Sequence, residues 1–187
     1  YTKNSVELLE NVPHRSYLDL AITYHYILEI SPGNFGNILV RNEHLDMWGV
    51  GEELLYKVAY KNTPFLLAPV LTDIADMISD KLMPNSDMGE KGIMYVLHNE
   101  KKSFGAACML YPKLLFDISK TIGGDYFIIP SSIHELILLP SRYVADNGYL
   151  LKTIKEVNQT VLNAEEMLSD NAYFYDSKVQ EITTITG

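Results

Sequence analysis

His134-Glu135 has the residue types of the first half of a zinc-protease signature, in which two histidines four apart on a helix hold the metal and the glutamate activates water. The second histidine position holds Leu138, and the surrounding residues read as strand, so the ligand spacing fails. His25, His44, His98 and His134 are scattered, and solvated or core histidines account for them without a metal. No metal and no cofactor is expected. Ser131 and Ser132 beside His134 invite a hydrolase reading, with Glu135 as a group that could orient or deprotonate. A nucleophile elbow, however, places serine between glycines on a strand-to-helix turn, whereas here Pro-Ser-Ser-Ile joins two strands. The alternative is a tight turn whose hydroxyls satisfy nearby backbone groups.

Cys108 lies among Gly105, Ala106 and Ala107, small residues that let another segment approach closely, and it reads as a buried small hydrophobe. A second polar and aromatic stretch, Asn42 to Trp48, supplies Asn42, His44 and Trp48 as candidate binding residues. Their local roles would be a helix cap for Asn42 and core packing for Trp48 with Met47; a lone tryptophan can instead anchor a partner. If the molecule has one functional surface, the Pro130–Glu135 turn and the Asn42–Trp48 segment are expected to share it. Glycines offer no phosphate cradle, since Gly33-Asn34-Phe35-Gly36 reads as a hairpin loop and no Walker-type lysine follows a strand.

These residues sit on connections between recognisable elements. Period-two patterning from Leu18 to Leu28 predicts one long half-buried strand with Leu20, Ile22, Tyr24 and Tyr26 on the covered face, returning at Asn37–Arg41 after a Ser31–Asn34 break. A short helix Glu43–Trp48 capped by Asn42 follows. A second helix opens at Glu52-Glu53, carries Leu54, Leu55, Val58 and Ala59 on one face, and is expected to stop before Pro64. A further helix is expected after Thr72, striped by Ile74, Met77, Ile78 and Leu82, and then a loop over Met83–Gly92. Ile93–His98 and Phe104–Leu110 read as a second hairpin, and Tyr111-Pro112 as the start of a helix ended by Gly123-Gly124. Tyr126–Ile129 with His134–Leu139 form a third hairpin. A helix capped by Asp146 or Asn147 runs to Val161, and Ala172–Asp176 with Val179–Ile185 close the chain. Hairpins alternating with helices predict an α+β fold: a mostly antiparallel sheet built from successive hairpins, each followed by helices, with the helices on one side.

A chain of 187 residues, 47% hydrophobic, is long enough for one substantial core, and residues 1–187 are expected to form a single domain. The net charge of −9 repels phosphate backbones and anionic headgroups, so neither nucleic acid nor membrane is an expected partner. No apolar run reaches the roughly 20 residues that span a bilayer. A single cysteine permits no internal disulfide, which points to a cytoplasmic setting.

Several multi-residue words, Val12-Pro13-His14-Arg15, Asn42-Glu43-His44-Leu45-Asp46-Met47-Trp48-Gly49-Val50, Asn99-Glu100-Lys101-Lys102, the run Phe104–Pro112 and Pro130–Glu135, occur in order along the chain. In them the chain resembles domain-of-unknown-function family 5688, uncharacterised bacterial proteins of anaerobic gut clostridia. Gly51 departs from the pattern, which favours a hydroxylated helix cap there. The resemblance implies a C-terminal portion of a longer protein, and supplies no activity, cofactor or catalytic residue. Expected partners are another protein or an N-terminal segment missing from this chain. Two functions remain: a non-enzymatic binding or regulatory domain, or a small hydrolase with its site near the Ser131–Glu135 turn.

Overall fold

The computed structural model describes residues 9–31, 34–77, 91–161 and 167–186. Pro32-Gly33, most of the expected Met83–Gly92 loop, and the stripe residues Ile78 and Leu82 lie outside the described residues. The chain divides into two compact units, residues 1–65 and 66–187, so the single unit expected from length is described in two parts.

In the first unit the expected long strand is split. β1 (His14–Tyr17) pairs antiparallel with β2 (Leu20–Thr23), and β3 (His25–Ser31) pairs antiparallel with β4 (Asn34–Leu39). Leu18 lies in the β1–β2 turn at φ 54, a left-handed conformation that a strand cannot hold. Tyr24 stands between β2 and β3, and its carbonyl accepts from Val40 N–H at 2.9 Å, so the hydrogen-bonding partner changes there. Leu20 and Tyr24 are buried, Ile22 is half-buried, and Tyr26 is 49% exposed, so the covered face ends before Tyr26.

α1 (Asn42–Trp48) begins after Arg41, which occupies the cap position in place of the expected Asn42, and Gly49 ends it at φ 64. α2 (Glu52–Leu66) follows, with the Gly51 carbonyl accepting from Leu54 and Leu55 N–H. Pro64 does not stop α2 as expected. It sits in the last turn, where its missing N–H removes a single bond to the Tyr60 carbonyl. Tyr24, Val40 and Leu45 form the core of this unit, with Ile22, Val50, Leu55, Tyr56 and Ala59 packed on it.

The second unit is built on a six-stranded antiparallel sheet of order β10-β9-β7-β8-β6-β5, from β5 (Pro69–Asp73), β6 (Tyr95–Asn99), β7 (Tyr126–Ile129), β8 (Leu136–Pro140), β9 (Ala172–Asp176) and β10 (Glu181–Ile185). The antiparallel α+β class is as read from the sequence, and so are the hairpins β7–β8 and β9–β10. β5 is a strand that no expectation from the sequence covers. Helix follows it at 74–77, where Asp73 Oδ1 accepts from Ala75 N–H at 2.9 Å.

Phe104–Leu110 is not a returning strand. Gly105–Leu110 is a 3₁₀ helix, and β6 pairs instead with β5 and β8. Lys102 and Phe104 both take left-handed φ values, 51 and 53, which turn the chain out of the sheet plane. Gly105 then presses against β6, where an added Cβ would stand 2.2 Å from the His134 carbonyl oxygen and 2.9 Å from His98 Cα.

α3 (Leu114–Ile122) and α4 (Asn147–Val161) lie on opposite faces of the sheet, not on one side. Buried Tyr126 donates its hydroxyl to the Leu115 carbonyl of α3 at 2.9 Å, while its neighbour Phe127, facing the other way, packs with Leu150, Leu151, Ile154 and Ala172. Gly123 ends α3 at φ 88, and Asp146 Oδ1 caps α4 by accepting from Gly148 N–H at 2.8 Å, both as expected.

Because an alanine methyl at Gly105 meets backbone on two sides, Gly105→Ala is expected to destabilise the protein by about 3 kcal/mol. Urea unfolding would show a lowered midpoint at unchanged slope; an unchanged midpoint would mean that the contact relaxes freely.

Candidate functional site

The Ser131–Glu135 connection is held by its own polar groups. Ser132 is 7% exposed and its Oγ accepts from His134 N–H at 3.0 Å, while Ser132 N–H donates to the Glu135 carbonyl at 3.3 Å. Ser131 N–H reaches the Ile129 carbonyl at 2.9 Å. His134 Nδ1 accepts from Phe104 N–H at 3.2 Å, and its ring lies 5.9 Å from that of Phe104. An imidazole that accepts at Nδ1 is neutral with its hydrogen on Nε2. The contact therefore uses His134 to hold Phe104, and the Ser132 hydroxyl is engaged by main chain. Glu135 is half-buried.

Asn99, in the polar stretch between Ile93–His98 and Phe104–Leu110, organises this corner. Fully buried, it donates Nδ2 to the Ser103 carbonyl at 2.7 Å, and its Oδ1 accepts from Lys101 N–H at 3.0 Å and Ser103 N–H at 3.4 Å. Asparagine before a polar turn was the available signal. The thiol of Cys108 donates to the His98 carbonyl at 3.3 Å, and burial pushes its pKa up to about 11. A neutral, enclosed thiol is a packing group. Among the described residues no group of three or more His, Cys, Asp or Glu is placed to hold a metal.

In the first unit Asn42 is the first residue of α1 rather than its cap, because the chain before β1 claims it: Asn42 N–H donates to the Asn11 carbonyl at 3.0 Å and Nδ2 to the Glu10 carbonyl at 3.3 Å. His44 turns back on the helix start, its Nδ1 accepting from Arg41 N–H at 3.1 Å, and its ring lies 5.7 Å from that of Trp48. Trp48 is 48% exposed and Met47 80%, so the expected packing of this pair on the sheet does not occur; Leu45 fills the core instead.

A charged cluster passed over in the sequence lies in the same unit. Arg15 on β1 grips Glu52 through two contacts, Nε to Oε1 at 3.2 Å and Nη2 to Oε2 at 2.9 Å, and reaches Glu53 Oε2 at 2.6 Å. Its guanidinium lies 3.9 Å from the Tyr56 ring centroid, and the Tyr24 hydroxyl donates to Glu52. Hydrogen bonds from Arg15 hold both carboxyls below their ordinary range, and the pair raises the guanidinium in return. Burial raises the Tyr24 hydroxyl, with Glu52 adding to it. The partners are 37 and 38 residues apart, a separation that leaves no local pattern.

A family model described as a family of unknown function, DUF5688, matches residues 1–177 of the 187-residue chain. The chain belongs to DUF5688. No curated protein and no solved structure matches it. Three of the words in which the chain resembles DUF5688, those beginning at Asn99, Phe104 and Pro130, meet at the Asn99–Gly105–His134 corner.

Glu52 and Glu53 are depressed in the folded state, so their contribution is present above the ordinary value of 4.5 and is lost as pH falls through the folded values. Melting temperature is expected to fall more steeply below that value in the native protein than in Glu52→Gln, and parallel curves would refute the role given to Arg15. At Cys108, a pKa of about 11 against an ordinary 9.0 predicts thiol labelling about a hundredfold slower than in the urea-unfolded chain at one pH. Equal rates would show the thiol to be accessible, with its pKa at the ordinary value.

Proposed function

We propose that this chain is a non-enzymatic binding domain whose partner is a protein, contacted through the first unit. One observation carries the reading: among the described residues, nine of the thirteen exposed large apolar side chains belong to residues 1–65, against Leu66, Tyr143, Tyr149 and Val179 in 66–187. Concentrated exposure of this kind marks an interaction surface, and scattered singles do not. Trp48 is the anchor, since a half-exposed tryptophan offers large contact area and the exposed, flexible Met47 beside it can adapt to the partner's shape.

The hydrolase reading has less to draw on. Its serine hydroxyl, imidazole Nδ1 and the nearby thiol are each engaged by backbone. The same proposal places the protein in the cytoplasm of a bacterium, supported by its lone buried cysteine and by a charge of −9 that disfavours nucleic acid and anionic membrane. Among the described residues, no helix is long and apolar enough to cross a membrane.

Immobilised protein should retain a specific partner from cell extract, and Met47→Ser with Trp48→Ala should weaken that retention by about thirtyfold. Retention unaffected by the pair, or turnover of an ester, amide or phosphoester that disappears in Ser132→Ala, would overturn the reading.

A further inference from the structure

We infer that the outward face of α2 docks an amphipathic helix of another protein that carries acidic residues beside its apolar stripe. This names the partner class for the binding reading above and rests on it. At about 100° per residue, Leu54, Val58, Lys61 and Phe65 fall within an arc of about 60°. Leu54 is 51% exposed, Val58 48% and Phe65 85%. The opposite side of the helix, through Leu55, Tyr56 and Ala59, already packs on the core of Tyr24, Val40 and Leu45. A helix that serves only its own core needs one apolar stripe; α2 has two. Leu54 and Val58, expected to share one face with Leu55 and Ala59, are separated from that pair in the structure.

Charge decides between occupants. The charged residues of α2 are Glu52, Glu53, Lys57 and Lys61. Both carboxylates are bonded to Arg15 at the helix start, and Lys57 adds a 3.4 Å contact to Glu53. Lys61 lies within the exposed stripe and Lys57 on its rim, so the outward face presents ammonium groups in a chain of net charge −9. A second copy fits poorly. Two α2 faces brought together, parallel or antiparallel, would line four lysines along one seam, and the α2 carboxylate beside it, Glu53, is already shared between Arg15 and Lys57 in each copy. An acidic-flanked helix supplies the missing sign, with its apolar residues on Leu54, Val58 and Phe65 and its carboxylates beside Lys57 and Lys61.

The test uses the full chain and three synthetic helical peptides of about 20 residues, identical in their leucine stripe but flanked by glutamate, glutamine or lysine. The glutamate peptide is expected to shift the Leu54 and Val58 methyl and Phe65 ring resonances, and to bind at least about tenfold tighter than the lysine peptide at about 150 mM salt. Phe65→Ser should weaken it by about tenfold. Lys57→Glu with Lys61→Glu should reverse the preference between the glutamate and lysine peptides. These positions are exposed, and an unchanged circular dichroism spectrum confirms that the variants fold. Absence of binding, shifts confined to other residues, no dependence on flank charge, or self-association through α2 would each overturn the inference. Loss of partner retention in the Met47 and Trp48 variant, together with no charge preference here, would leave the binding function standing and remove only this partner class.

Discussion

Between β6 and the 3₁₀ helix that follows it there is no room for a side chain: a Cβ on Gly105 would overlap the His134 carbonyl oxygen at 2.2 Å. That close approach puts the 104–108 segment directly over the end of β6. Ala106 N–H then reaches the Ile133 carbonyl at 3.2 Å, Cys108 reaches His98, and His134 receives Phe104 N–H. With this segment turned out of the sheet, β6 pairs with β8, and the β7–β8 hairpin is joined to β5 and β6 in one sheet. Buried Asn99 fills the turn that makes the approach possible, since its amide can satisfy donors and acceptors at once where water is excluded.

The first unit solves the corresponding problem with charge. Its core is small, and an isolated two-stranded hairpin such as β1–β2 is marginal in water. Arg15 ties that hairpin to the start of α2 through a planar fork that fits the Glu52 carboxylate and a cationic plane that stacks on Tyr56. A few well-directed polar contacts thus accompany a modest apolar interior, and large apolar side chains stay on the outside. Stability and exposed surface in this unit are two sides of one allocation of residues.

Serine, histidine and glutamate side by side at 131–135 resemble catalytic equipment in sequence, yet the Ser132 hydroxyl, the His134 imidazole nitrogen and the separate Cys108 thiol each complete a backbone hydrogen bond. The Cys108 thiol cannot lose its proton without giving up the bond it donates to the His98 carbonyl. Trp48 shows the reverse. Its simplest sequence reading is core packing, and it stands half-exposed beside Met47.

Local signals were legible where a backbone rule acts within a few residues. Gly49 and Gly123 end helices at positive φ, Asp146 caps α4, and the β7–β8 and β9–β10 hairpins follow their alternation. The α+β class and the cluster of polar residues at 131–135 were readable on the same terms, and the family through the resemblance of multi-residue words along the chain. Tertiary structure alone decided whether Phe104–Leu110 would be a strand, because apolar content and small residues suit both a strand and a tight 3₁₀ turn, and the backbone at 102–105 settles the matter. It also decided which of two apolar stripes on α2 meets the core, and that Arg15 would find Glu52 across 37 residues. Patterning within a segment reports its own periodicity; the identity of the surface that covers it depends on contacts between segments far apart in the chain, and those carry no signature in either segment alone.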